Sequence, residues 1–134
     1  MKKIIKVSTN GLVDVLDAPE SFDCRWLAKQ IGCEWIEVVR PSERLEEGYV
    51  MIVDEEGLLK ENCLNVAGSW LYGTDDHGEP IVGDLLIMKE EYGEDGPDLA
   101  GMSEESAIRF KEELGDFRNL MLWAAEINVG LSKE

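Results

Sequence analysis

A chain of 134 residues with 44% hydrophobic side chains is long enough to bury one core without cross-links. Its 29 acidic against 13 basic residues give a formal net charge of −16, a sign that disfavours direct binding to nucleic acid or anionic membrane, while four Trp among many aliphatic residues exclude a charge-driven disordered chain. Cys24, Cys33 and Cys63 form no C-x-x-C pair and read as reduced buried thiols of a cytoplasmic protein, and no apolar run approaches membrane length.

Residues 3–8 read as a strand, and Asn10-Gly11 is a hairpin signal because both residues tolerate positive φ, so 12–16 should return beside it. Pro19 breaks the pattern. Ser21 or Asp23 then caps a helix to about Ile31, with Phe22, Trp26, Leu27 and Ile31 at helical spacing and Gly32 as its stop. Residues 33–40 are β-rich, with charges alternating imperfectly as in a sheet with one covered face. A strand over 49–53 ends at the turn 54–57, after which 58–60 turn back.

Asn65 caps a short helix to Tyr72, with Val66/Trp70 and Ala67/Leu71 as i, i+4 pairs and Gly73 at its end. Residues 81–88 form the next strand, in which Asp84 beside Gly83 marks an edge, a bulge or a site. The acid-rich stretch 90–98, broken by Gly93, Gly96 and Pro97, reads as a mobile surface loop. Ser103 with Glu104 and Glu105 opens a helix striped by Ala107, Phe110 and Leu114, and a last helical segment, 117–127, is apolar on most sides. Together these predict an α+β fold in a single compact domain: about five or six strands in a mostly antiparallel sheet, with three or four helices on one side of it.

The stretch 49–88 organises the rest and carries a resemblance. Ile31-Gly32-Cys33-Glu34-Trp35-Ile36-Glu37-Val38-Val39, then Ile52-Val53-Asp54-Glu55-Glu56-Gly57-Leu58, then Leu64-Asn65-Val66-Ala67, then Ile81-Val82-Gly83-Asp84-Leu85-Leu86-Ile87 follow the order seen in domain of unknown function family 3846, which the chain resembles. The family occurs in phages, plasmids and bacterial genomes that carry mobile elements. The resemblance covers about residues 3–88, a β-rich core, and leaves 103–127 as a helical extension; Cys33 stands where the family tends to have a second glycine. It implies a mobile-element setting and supplies no activity or catalytic residue.

Catalytic signatures are absent from the sequence: there is no phosphate-binding loop, nucleophile elbow or dinucleotide fingerprint, and nothing local activates a thiol. Asp75, Asp76, His77 and Glu79 offer oxygen and imidazole donors, yet the chain has only one His and adjacent carboxylates in a loop point apart, so the expectation is a solvated turn, with no metal and no cofactor. Charge is the stronger signal. Residues 61–105 hold twelve acids against Lys89 alone, a local balance of −11, while the rest of the chain nearly balances. The reading is a non-enzymatic, DNA-mimic-like inhibitor of the anti-CRISPR or anti-restriction type. It would present Asp75, Asp76, Glu90, Glu91, Glu94, Asp95, Asp98, Glu104 and Glu105 to the basic surface of a host nuclease or effector complex in the bacterial cytoplasm.

The alternative is a small-ligand binder, for instance one that sequesters a nucleotide in a pocket of Trp35, Asn65, Trp70, Tyr72 and Asp84, gathering some of Arg25, Arg40, Arg44 and Lys60 around the anion. The bland counterparts are a charge that serves solubility and aromatics that fill the core. A homodimer through Leu120, Met121, Trp123 and Ile127 is a third expectation.

Overall fold

The computed structural model describes residues 1–41, 43–60, 62–74 and 78–115. Strands β1 (Lys3–Val7), β2 (Val13–Asp17), β3 (Ile36–Val39), β4 (Tyr49–Asp54), β5 (Leu85–Gly93) and β6 (Gly96–Ala100) build one open sheet in the order β2-β1-β5-β4-β3, with β6 on β5. Every ladder is antiparallel. Helices α1 (Cys24–Gln30) and α2 (Val66–Tyr72) are joined by a third, α3, which is helical over 104–115. The α+β class, six strands and three helices among the described residues agree with the sequence.

β5 is the strand the others meet on. Its first half lies between β1 (Ile5 opposite Ile87) and β4 (Met51 opposite Ile87), and its second half pairs with β6, which continues the line of β1. Side chains on a strand alternate between faces, and here both faces are apolar. Ile5, Val7, Met51, Val53, Leu85 and Ile87 point to one side, under Ala67 and Leu71 of α2 and Ala107, Phe110 and Leu114 of α3. Ile4, Val50, Ile52, Leu86 and Met88 point to the other, under Leu27 of α1 and Ile31.

Helices therefore cover both faces, a correction to the expected one-sided arrangement. The physical reason is parity: 50–53 and 85–88 are buried at every position, which a sheet with one wet face cannot accommodate.

Local signals hold where their chemistry is local. Asp23 caps α1 by accepting from the Trp26 N–H at 2.9 Å, and the β1–β2 hairpin forms around Gly11. Asn65 caps α2, which ends on Gly73 at φ 88, the left-handed conformation that favours glycine. Ser103 caps α3 by accepting from the Ser106 N–H at 3.2 Å.

Other expectations shift. Residues 33–40 narrow to β3, and Gly57–Leu59 make a 3-10 turn in place of a returning segment. The run 81–88 begins as a strand only at Leu85. The expected mobile loop 90–98 is the β5–β6 hairpin, turning at Glu94-Asp95: Gly93 and Gly96 flank the turn, and Pro97 sits on an edge strand where its missing N–H costs nothing. Two of the three thiols, Cys24 and Cys63, are exposed, against the expectation of burial, and Cys33 is half-buried. The apolar segment 117–127 lies outside the described residues.

Candidate functional site

The motif Asn65-Val66-Ala67-Gly68 first resolves as architecture. Asn65 is 0% exposed. Its Oδ1 accepts from the Gly68 N–H at 2.9 Å, and its Nδ2 donates to the carbonyls of Val7 at 3.1 Å and Gly83 at 3.0 Å. One side chain thus ties the start of α2 to the end of β1 and to the approach of β5. Ser69 adds a stitch, its Oγ donating to the Ile81 carbonyl and accepting the Ile81 N–H. Asp84 also has a structural partner: it precedes β5, accepts from the Thr9 N–H at 3.0 Å and lies 3.8 Å from Lys6 Nζ, fastening the β1–β2 turn to the sheet.

The five residues of the expected ligand pocket do not converge. Asn65 is sealed, Asp84 holds the hairpin, and Trp35 stands 61% exposed ahead of β3. Trp70 faces a groove between α2 and α3, and Tyr72 faces a narrow cleft with Glu37 and Glu79, where burial and then the two carboxylates push its phenol up. The basic residues expected around an anion are dispersed too. Arg40 holds Glu90, Lys60 holds Asp54 at 2.9 Å, Arg25 lies on α1, and only Arg44 reaches Trp70.

That groove has a volume of about 450 Å³. The Arg44 guanidinium lies 4.8 Å from the Trp70 ring centroid and donates to the Trp70 carbonyl at 2.6 Å. Arg109 is 5.4 Å from the Phe110 ring and pairs with Glu46. With Glu43, Glu46 and Glu113 on its walls beside these two arginines, the groove carries no excess of positive charge among the described residues.

The acidic residues form a strip rather than a cluster. From Glu91 onward β5 pairs with β6 alone, and Glu91 stands directly opposite Asp98, with Lys89 Nζ 3.7 Å from Glu91. Glu94 and Asp95 form the tip; Glu104 and Glu105 lie in the first turn of α3, beyond the other end of β6. A five-residue strand spans ~17 Å, which sets the scale of the strip. Among the described residues no lysine or arginine forms an ion pair with Glu94, Asp95, Asp98, Glu104 or Glu105.

Glu90 departs from the group. Arg40 Nε donates to both of its carboxylate oxygens at 3.0 and 3.2 Å, Tyr92 donates a longer bond at 3.4 Å, and the Glu90 side chain is only 8% exposed. It is spent on anchoring the segment after β3 to β5. Asp75, Asp76 and His77 lie outside the described residues, and among those described no group of three or more His, Cys, Asp or Glu is placed to hold a metal ion.

The Arg40 hydrogen bonds hold the Glu90 carboxyl below the usual carboxylate range. A carboxyl lowered in the folded state contributes stability above its unfolded pKa, about 4.3, and loses it as pH falls through the folded value. Glu90→Gln should therefore lower the urea midpoint near neutrality, and the gap to wild type should close as pH falls below that unfolded value and through the lowered folded one. A gap that widens on acidification would reject this assignment.

A sequence model described as domain of unknown function (DUF3846) matches residues 1–115. The match takes in β6 and α3, so it extends past the 3–88 read from the motifs. No curated protein and no solved structure matches the chain. No helix among the described residues is long and apolar enough to cross a membrane.

Proposed function

The chain belongs to the DUF3846 family, and from that premise we propose that it is a non-enzymatic acidic protein of a phage or mobile element. In this reading it sets the β5–β6 strip against the basic surface of a host nucleic-acid-handling factor, as an anti-CRISPR or anti-restriction inhibitor would, in the bacterial cytoplasm. The observation that carries the reading is the run of carboxylates at Glu94, Asp95, Asp98, Glu104 and Glu105, none of which forms an ion pair with a lysine or arginine among the described residues, although Lys3 is near enough to Glu104 to feel its charge. Duplex DNA presents one negative charge per ~1.7 Å of its axis, so a row of exposed carboxylates can meet the same lysines and arginines.

The test is an affinity capture from bacterial lysate, comparing wild type with the triple variant Glu94→Lys, Asp95→Lys and Asp98→Lys. These positions lie at the tip and on the exposed strand, so the fold should survive. Wild type is expected to retain a basic nuclease or nucleoprotein at low salt and release it at high salt, where exposed charges are screened. Capture by the variant that equals wild type, with the same salt dependence, sinks the proposal.

A second reading, a small-ligand or nucleotide binder, is favoured only by the Arg44–Trp70 pair in the α2–α3 groove. A thermal-shift screen against nucleotides separates the two, since a specific ligand raises stability by mass action.

A further inference from the structure

β3 closes one end of the sheet: it pairs with β4, and among the described residues no strand lies beyond it. Which of its backbone groups are used follows from one bond, the Glu55 N–H donating to the Trp35 carbonyl at 3.0 Å. Pairing in an antiparallel ladder falls on alternate residues, so Trp35, Glu37 and Val39 bond toward β4 while Ile36 and Val38 turn their N–H and C=O groups outward. An open row of this kind is a template for another strand.

Beside that edge lies the cleft that Tyr72 faces, with Glu37, Val39, Asp54, Glu55 and Glu79 on its walls. Lys60 holds Asp54, and no lysine or arginine among the described residues lines the cleft, so Glu37, Glu55 and Glu79 make it negative. Its volume, about 80 Å³, is far below the roughly 300 Å³ at which small-ligand pockets begin, and suits the head of one side chain. Burial, then Glu79 and Glu37, push the Tyr72 phenol up, as a negative field in the cleft requires.

We propose that the β3 edge takes an extended, basic segment of a partner protein as an added strand, which bonds to Ile36 and Val38 and sets an arginine or lysine in the Glu37–Glu79 cleft. In strand addition the backbone supplies affinity and alternate side chains supply specificity. Charge selects the occupant. A second copy would bring two negative clefts together in molecules of net charge −16, and Arg40, the cation that follows β3, is committed to Glu90. The proposal stands independently of the β5–β6 strip.

The probe is a short capped peptide of alternating valine and arginine, titrated into the full chain and followed by amide hydrogen exchange. At saturation the Ile36 and Val38 amides are expected to exchange at least about tenfold slower. Glu37→Gln combined with Glu79→Gln, both at exposed positions, should weaken binding at least about threefold. Methylating the peptide's backbone nitrogens removes its strand donors and leaves its charges, and should abolish binding. Binding that survives methylation, that spares the two amides or that is equal in the double variant overturns the proposal, as does a peptide that does not bind at all. Protection of Ile36 and Val38 that grows with protein concentration before peptide is added overturns it in favour of paired copies.

Discussion

Replacing Asn65 by alanine is expected to lower stability by about 3–5 kcal/mol: roughly 1 from the lost helix cap and roughly 1–2 for each of two buried carbonyls left without this donor. Those carbonyls belong to Val7 and Gly83, on segments far apart in sequence, so the loss should loosen β1, α2 and the entry to β5 together. Urea unfolding should show a lower midpoint with an unchanged slope. Asn65→Asp sharpens the test. It keeps the acceptor for the Gly68 N–H but turns a carboxylate toward two carbonyl oxygens in a site that is 0% exposed. It should be no more stable than the alanine variant. An aspartate variant close to wild type would show that capping alone explains the residue.

The second large effect is expected at Gly68, in the first turns of α2. At an ordinary helical position, alanine in place of glycine stabilises by roughly 1 kcal/mol. Here a Cβ would fall 2.3 Å from Leu85 Cδ2 and 3.2 Å from Asn65 Oδ1, inside the packed layer between helix and sheet. Overpacking of this kind costs about 1–3 kcal/mol and reverses the sign. Leu85→Ala alone should cost about 2–5 kcal/mol through the cavity it leaves. Because the two side chains contend for one space, the double variant should lose clearly less than the sum of the singles. Strict additivity in denaturant unfolding would show that the helix shifts to make room.

These two residues mark how far the sequence could be read. α2 was legible from cap to stop because Asn65 and Gly73 act within a few residues of the helix they bound. The sequence had no means of naming Val7 and Gly83 as the other partners of Asn65, or Thr9 as the partner of Asp84, since each lies across the fold. The helices on both faces were readable in principle. Runs buried at odd and even positions alike carry that information, whereas the imperfect alternation in β3 points to one covered face.

The acidic hairpin is hidden in the sequence for a different reason. Gly93, Gly96 and Pro97 read as breakers in the sequence, whereas in the fold the two glycines flank a two-residue turn and Pro97 occupies an edge. At the candidate site the signs of the charges were visible, but not their use. The commitment of Glu90 depends on Arg40, which follows β3 in a separate part of the chain.

The position of β5 also makes the sheet depend on one late segment of the chain. β1 with β2, and β3 with β4, are ladders made by the first half of the chain, yet neither pair bonds to the other; β5 supplies the join. Pairing Ile5 with Ile87 closes a loop that encloses most of the chain, the kind of non-local contact that slows folding because its entropy is lost before its contacts are gained. Without β5 the sheet would be two separate ribbons with no ladder between them, each with apolar residues on both sides. Leu85–Met88, paired with β1 on one edge and β4 on the other, is the one segment that makes them a single sheet.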